Sequence, residues 1–351
     1  YARAELIPCA GVTVLYGQNA QGKTALLEAV YLCCTGRSHR TSRDKELIRW
    51  GQPLAEVSLE TMQGDGSHQV EIRIPNNDRK SVKVNGRGVT RSGELMGHIT
   101  GVLFSPEDLR MVKGSPGDRR RFIDMELAQI RPSYYYELQR YARALAQRGC
   151  LLRAGEARGL EVWDELLAAS GARIVLARRA FIEKLETFAA RTHRDLSGGK
   201  EALTLVYRCP GDADGDEAAL TDFLARALFA ARERDIQRGV TSVGPHHDDL
   251  LIQIDGMDAR AYGSQGQQRS CALSMKLAEL RVMEAESGEC PILMLDDVMS
   301  ELDPDRRRQL LGAMEGVQTL VTCTDPDDLA GAKAGLMQKV EAGALVPPAF
   351  P

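Results

Sequence analysis

GVTVLYGQNAQGKTALLEAVYLCCT, residues 11–35, decides the fold. Residues 11–16 read as a short buried strand, and 23–35 carry Leu27, Val30 and Cys34 at helical spacing. Between them GQNAQGKT (17–24) satisfies G-x-x-x-x-G-K-[ST] in the strand-then-helix context which that motif requires. Gly17 and Gly22 let the backbone turn its N–H groups inward around phosphates. Gln18, Asn19, Ala20 and Gln21 complete the cradle, and the helix start adds a favourable dipole. Lys23 is expected to bridge the β and γ phosphates of ATP, and Thr24 to ligate magnesium. Such a loop needs a carboxylate at the end of a neighbouring strand. PILMLDD (291–297) offers Asp296 for the magnesium shell and Asp297 as base for the attacking water. The two motifs lie about 270 residues apart, so the catalytic core is split by a large insertion.

A chain of 351 residues exceeds what one compact core usually takes. Its 43% apolar and 27% charged residues suit a globular protein, and no apolar run is long enough to span a membrane. Nothing after Tyr1 reads as a signal peptide. The eight cysteines form no C-x-x-C pair, which points to reduced thiols in the cytoplasm rather than disulfides or zinc. With net charge −4, any anionic partner must be met by a local basic patch.

Strands are expected at 54–60 and 69–74, with a hairpin at 82–89 turning on Asn85-Gly86. Long helical patterns cover 134–152, 161–191 and 218–238, interrupted by an acidic loop at 211–217. A strand (250–255), a helix (267–286) and strands at 291–297 and 319–323 follow, and the tail beyond about 340 is expected to be poorly ordered. The division is 1–112, a head with the phosphate loop and antiparallel strands; 113–240, a helical insertion; and 241–351, the rest of the head. The fold class is α/β.

GSQGQQRS (263–270) places Ser264, Gln265 and Gly266 at a helix start, a second anion-binding end. One nucleotide cannot be wrapped by both loops of one chain if they lie on opposite faces of it. Two chains facing head to tail could each lend Ser264 and Gly266 to the other's nucleotide, with Asp303 of SELD (300–303) near the seam. Residues 37–49 carry Arg37, Arg40, Arg43, Lys45 and Arg49 against Asp44 and Glu46, and Arg119, Arg120 and Arg121 form a second cluster. Both are candidate contacts to DNA phosphates. Aromatics are scarce at 5%, which favours backbone contact to duplex over base stacking, and the 134–136 tyrosines read as core. His246 and His247 at a strand start would point to opposite faces and share no metal; Gly244-Pro245-His246 reads as a structural turn.

The order of phosphate loop, Ser-Gly helix start and carboxylate strand with SELD resembles the RecF family of SMC/ABC-type ATPases. The resemblance rests on 16–32, SHRTSRDKELIRWG (38–51), LFSPEDLRMVKGSPGDRRRFID (103–124), 134–148, VGPHHDDLLIQIDG (243–256), AYGSQGQQRS (261–270) and LDDVMSELD (295–303), nearly the whole chain. It implies an ABC-type ATPase head with an inserted helical domain, dimerising on ATP, binding duplex DNA near single-strand/double-strand junctions, and hydrolysing ATP slowly. It also implies work with RecO and RecR in loading RecA at gaps. The family's first strand would lie before Tyr1, so adenine contacts are not assigned. Asp297 stands where many ABC ATPases carry Glu, Thr324 and Asp325 where transporters place a histidine, and His247 where the family usually has Arg; no glutamine marks the loop at 104–109. The first two departures fit slow turnover. The competing readings are a transporter ATPase subunit and a module that binds ATP without hydrolysing it.

Overall fold

The computed structural model describes residues 1–64, 66–209, 215–329, 331 and 333–346. Strand β1 (Val12–Tyr16) leads through the phosphate loop into α1 (Lys23–Thr35). Gly36, at φ 68°, stops α1 by returning its N–H to the Leu32 carbonyl. Residues 37–50 then cross to an antiparallel sheet ordered β2 (Leu54–Gln63), β3 (Gly66–Pro75), β4 (Ser81–Val84), β5 (Arg87–Val89). Asn85 and Gly86 both sit at positive φ, the two-residue turn whose twist matches the flanking strands. Strand β6 (Gly101–Phe104) and helix α2 (Leu109–Lys113) follow.

Helices α3 (Pro116–Ile130), α4 (Pro132–Ala154) and α5 (Leu160–Leu196) come next. A reciprocal Ser115–Asp118 cap and Pro116 start α3. Strand β7 (Leu203–Arg208) then departs from the helical texture expected there. Its six residues alternate buried and exposed between two long helices, too short a period-2 signal to stand out beside them. After α6 (Glu217–Arg238), β7 pairs antiparallel with β8 (Asp249–Ile254), and β9 (Met257–Asp258) completes a three-stranded sheet. That sheet ties 113–240 to 241–351 through backbone hydrogen bonds. Of the acidic loop at 211–217, residues 211–214 lie outside the described residues, and Glu217 already begins α6.

The chain closes with α7 (Ala259–Tyr262), α8 (Gln265–Ser287), β10 (Ile292–Asp296), α9 (Pro304–Ala313), β11 (Thr319–Cys323), β12 (Ala334–Glu341) and β13 (Ala344–Val346). The tail beyond 340 is therefore partly ordered, contrary to expectation: β12 and β13 form a hairpin on the edge of the central sheet. Residues 347–351 lie outside the described residues. The central order is β13-β12-β1-β11-β10-β6, parallel except for β13. Its inner strands are buried on both faces, as parallel sheets require. Helix α8 is buried over most of its middle turns, polar Ser274, Lys276 and Glu279 included, because it serves two cores. Cys271, Met275 and Ala278 face the helices, while Leu273, Leu277 and Leu280 pack with the central sheet. Each leucine contributes roughly 1.5–3 kcal/mol, so α8 is a shared spine. All eight cysteines are free, and no described helix is long and apolar enough to cross a membrane.

Candidate nucleotide site and nucleic-acid interface

Parallel neighbours β1, β11 and β10 end side by side, with Tyr16 opposite Cys323 and Thr322 opposite Asp296. This register brings the phosphate loop and the carboxylate pair, remote in sequence, to one edge. Thr24 Oγ1 donates to Asp296 Oδ1 at 2.8 Å, and Thr322 Oγ1 donates to the same oxygen at 2.9 Å. The Asp297 N–H in turn donates to Thr322 Oγ1 at 2.9 Å. Asp297 itself adopts φ 53°, an unfavourable conformation for a non-glycine residue, and borders a cleft of about 300 Å³. That cleft is lined by Asn19 to Ala25, Arg40, Asp297 and Thr322.

Lys23 is buried, its Nζ donating to the carbonyls of Gly17 at 2.6 Å and Gln18 at 2.9 Å. The ammonium is held over the loop by weak acceptors that a phosphate can replace. Gly17 has a steric reason as well as a torsional one: a Cβ there would lie 2.3 Å from the Val340 carbonyl oxygen. The β12–β13 hairpin braces the loop, with the Ala342 N–H donating to Gln21 Oε1 at 2.6 Å and the Gly343 N–H to the Gln21 carbonyl at 3.2 Å. On the other side Tyr1 Oη donates to the Gly22 carbonyl at 3.1 Å, and burial pushes its phenol up to about 12. Sequence reading missed Thr322, Gln21's partners and Tyr1. Only Thr322 left a signal, a polar residue inside an otherwise apolar strand.

These groups fit an ATP–magnesium site. Asp296 and Thr24 present oxygens within hydrogen-bond distance of each other, the sparse protein ligation that suits magnesium held largely by phosphates and water. Among the described residues no cluster of three His, Cys, Asp or Glu forms a separate metal site.

Ser264 caps α8, accepting from the Gln267 N–H while Gln267 Oε1 accepts from the Ser264 N–H. Ser264 and Gln265 are exposed, Gly266 is half-buried, and among the described residues none of the three lines the phosphate-loop cleft. Arg306 fixes this helix start. Its Nη2 donates to the Gly266 carbonyl at 2.9 Å, its Nε to Ser270 Oγ at 2.9 Å, and its Nη1 pairs with Asp303. Asp303 caps α9, so the SELD turn and the Ser-Gly turn are tied together.

The basic clusters separate. In 37–49, Arg37, Arg40, Arg43, Lys45 and Arg49 are all exposed, and Arg40 also borders the phosphate-loop cleft, 4.0 Å from Glu28. Arg40 is therefore an exposed cation of the basic segment that also stands beside the nucleotide site. Ser38 Oγ, bonded to Glu28, accepts from the N–H groups of Arg40 and Thr41, and Thr41 Oγ1 from that of Arg43; the segment is fixed, not loose. The second cluster is the one corrected. Arg119 is 4% exposed and grips Asp249 with two bonds of 2.7 and 2.9 Å, so it has no face for DNA. Arg120 Nη1 donates to the Asp248 carbonyl at 2.6 Å, and only Arg121 is exposed.

Residues 245–247 form a 3-10 turn, not a strand start, so His246 and His247 do not diverge. Their ring centroids lie 4.1 Å apart and both Nε2 atoms donate to the Thr241 carbonyl. Arg178 reaches the Pro245 carbonyl and Asp124, while Tyr207 Oη donates to Asp248. Burial raises Asp248 to about 6 and lowers His246 to about 4. The motif is thus an internal lock. Tyr134 is buried as expected, while Tyr136 is exposed.

Residues 1–341 match the RecF/RecN/SMC N terminal domain family. The DNA replication and repair protein RecF of Symbiobacterium thermophilum is 45% identical, covering 91% of this chain and 87% of its own length. RecF of Acetivibrio thermocellus is 40% identical over 95% and 92%. The solved structure of the recombination mediator protein RecF-ATP in the RecFOR pathway superposes with a TM-score of 0.90 at 36% identity, covering 97% of this chain and 92% of that one. The Pyrococcus furiosus Smc head domain, at 17% identity over 97% and 90% of the chains, shares the fold with a TM-score of 0.56. With its phosphate loop, carboxylate strand and Ser-Gly helix start on an ABC-type ATPase head, the chain belongs to the RecF family.

Proposed function

We propose that this chain is an ATP-dependent, DNA-binding recombination mediator of the cytoplasm. It dimerises on ATP, binds gapped or junction DNA, hydrolyses ATP slowly, and works with RecO and RecR in loading RecA. The observation that carries this reading is Thr24 and Thr322 converging on Asp296 beside a phosphate loop whose lysine is held in reserve. Family membership argues against a transporter subunit. The division into 1–112, 113–240 and 241–351 is proposed with it.

In this reading Lys23 leaves the Gly17 and Gln18 carbonyls for the β and γ phosphates, and the loop N–H groups from Gln18 to Thr24 cradle them. Thr24 and Asp296 hold magnesium, which supplies charge neutralisation. Asp297 orients a water in line with the γ-phosphorus and accepts its proton as the β–γ bridging bond breaks. Its carboxylate is one methylene shorter than a glutamate's, which suits a switch better than a motor. Ser264 and Gly266 contact the γ-phosphate bound to the partner chain, and the exposed helix start outside this chain's own cleft supports that division of labour.

The test is sedimentation with a non-hydrolysable ATP analogue. Lys23→Ala is expected to abolish nucleotide-dependent dimers. Ser264→Arg is expected to keep nucleotide binding within about twofold of the parent while remaining monomeric. Dimers in the first variant, or loss of nucleotide binding in the second, would overturn the sandwich. Phosphate release with and without gapped DNA separates slow hydrolysis from ATP used only as structural glue.

A further inference from the structure

Trp50 is the most exposed large apolar side chain described, at 98% of its surface, although tryptophan usually buries most of its area. It does not belong to a loose loop. Ile48, two residues earlier, is buried against the antiparallel sheet and α1. The Gln52 N–H returns to the Arg49 carbonyl at 3.0 Å, and Gly51, at φ 78°, occupies the third position of that turn. The indole is presented on a fixed support, so little ordering entropy opposes its use.

Its surroundings are cationic where they are free. Trp50 stands at the edge of an open surface groove of about 680 Å³ that Arg43, Lys45, Arg79 and Lys80 also line. The acids of the same wall are engaged: Asp44 pairs with Lys80 at 2.8 Å, Glu46 accepts from Thr41 Oγ1 at 2.6 Å, and Asp78 accepts from the Arg79 N–H at 2.7 Å. Among the described residues Lys45, Arg49 and Arg79 have no ion-pair partner. A rigid aromatic face beside unpaired cations matches a nucleotide, whose base offers a flat π surface and whose phosphate offers charge.

We propose that Trp50 is a stacking platform for one unpaired base, and that it sorts a gap or junction from continuous duplex. The proposal rests on residues 37–49 meeting DNA phosphates. Bases inside a duplex already stack on both faces; only an unpaired base, next to phosphates held by Lys45, Arg49 and Arg79, leaves a face for the indole. Scarcity of aromatics gave no hint of this, because one exposed ring suffices where its phosphate neighbours position the strand.

The chain has two tryptophans, and Trp163 is packed against the helical core, so surface-quenchable fluorescence reports Trp50. Gapped duplex and uninterrupted duplex of equal length are titrated into the full chain with a non-hydrolysable ATP analogue. The expected results are quenching by gapped DNA only, Trp50→Ala weakening gapped DNA about tenfold but duplex less than about twofold, and Trp50→Phe restoring most of the loss. Trp50→Ala is expected to melt as the parent does. Equal losses on both DNAs, or no loss with unquenched fluorescence, overturn the stacking role while leaving the phosphate contacts standing. Normal DNA binding in Trp50→Ala with loss of a protein partner instead also overturns it. Absence of salt-dependent binding to any DNA by the parent chain overturns the underlying DNA reading and this proposal with it.

Discussion

Two arginine-bearing segments look alike as strings and behave differently as surfaces. Residues 37–49 turn all five of their cations to solvent, whereas 119–121 expose one of three. The difference lies in partners more than a hundred residues downstream: the Asp249 side chain takes Arg119, and the Asp248 carbonyl takes Arg120. Local charge count measures supply, and the fold decides how much is already committed. The same acids fix the strand start of β8, so the second cluster is a seam between the helical insertion and the head.

Replacing Arg119 is the largest blow to that contrast. Arg119→Ala strands Asp249 beside a buried hole and is expected to cost about 3–5 kcal/mol of stability, while Arg121→Ala stays within about 0.5 kcal/mol. Denaturant melts of the two variants compare them directly. Equal, small losses would mean that Arg119 is as available as its neighbour and that the cluster is one surface after all.

Next in size is the reverse experiment. Removing Arg37, Lys45 and Arg49 together should leave stability within about 1 kcal/mol but lower DNA affinity roughly a hundredfold. The slope of log affinity against log salt should fall by about 2.7, near 0.9 for each phosphate no longer neutralised. An unchanged salt slope would remove the DNA role from this segment, however exposed its cations are.

Much of this was legible in the chain. The strand–loop–helix at 11–35 and the carboxylate strand at 291–297 carry their own periodicity and motif, and both fall where expected. The Asn85-Gly86 turn needed only local torsions. Legibility failed wherever the deciding partner was remote. Strand β7 exists because β8 offers it an edge, and the β12–β13 hairpin because the phosphate loop needs bracing at Gly17 and Gln21. Arg40 could not be told from Arg37 and Arg43, since three residues of turn send it to the nucleotide cleft. The histidine pair was misdirected by the assumption of a strand, where a 3-10 turn sets the rings side by side, tilted by 45°, instead.

The lock that consumes Arg119 and Arg120 also makes the smallest and most specific prediction, because two of its groups titrate in opposition. His246 faces Tyr141, His247, Arg120 and Asp235, and burial lowers it from 6.5 to about 4; the unfolded chain therefore takes up that proton first, and this contribution is lost as pH falls from about 6.5 towards 4. Asp248 faces Tyr207, Arg178, Arg120 and His247, and burial raises it from 3.8 to about 6; the folded chain takes up that proton first, and stability is gained as pH falls through about 6. Each contribution is on the order of 1–2 kcal/mol after allowing for solvent, and together they leave the parent nearly flat over this window. His246→Gln should make the chain more stable towards pH 4.5 relative to pH 7, and Asp248→Asn less stable, in urea titrations at the two pH values. The exposed segment 37–49 holds no such opposed pair, so neutralising Lys45 should move the two pH values together; parallel shifts for His246→Gln and Asp248→Asn would show that the lock is solvated like the open segment, and the contrast between the two regions would dissolve.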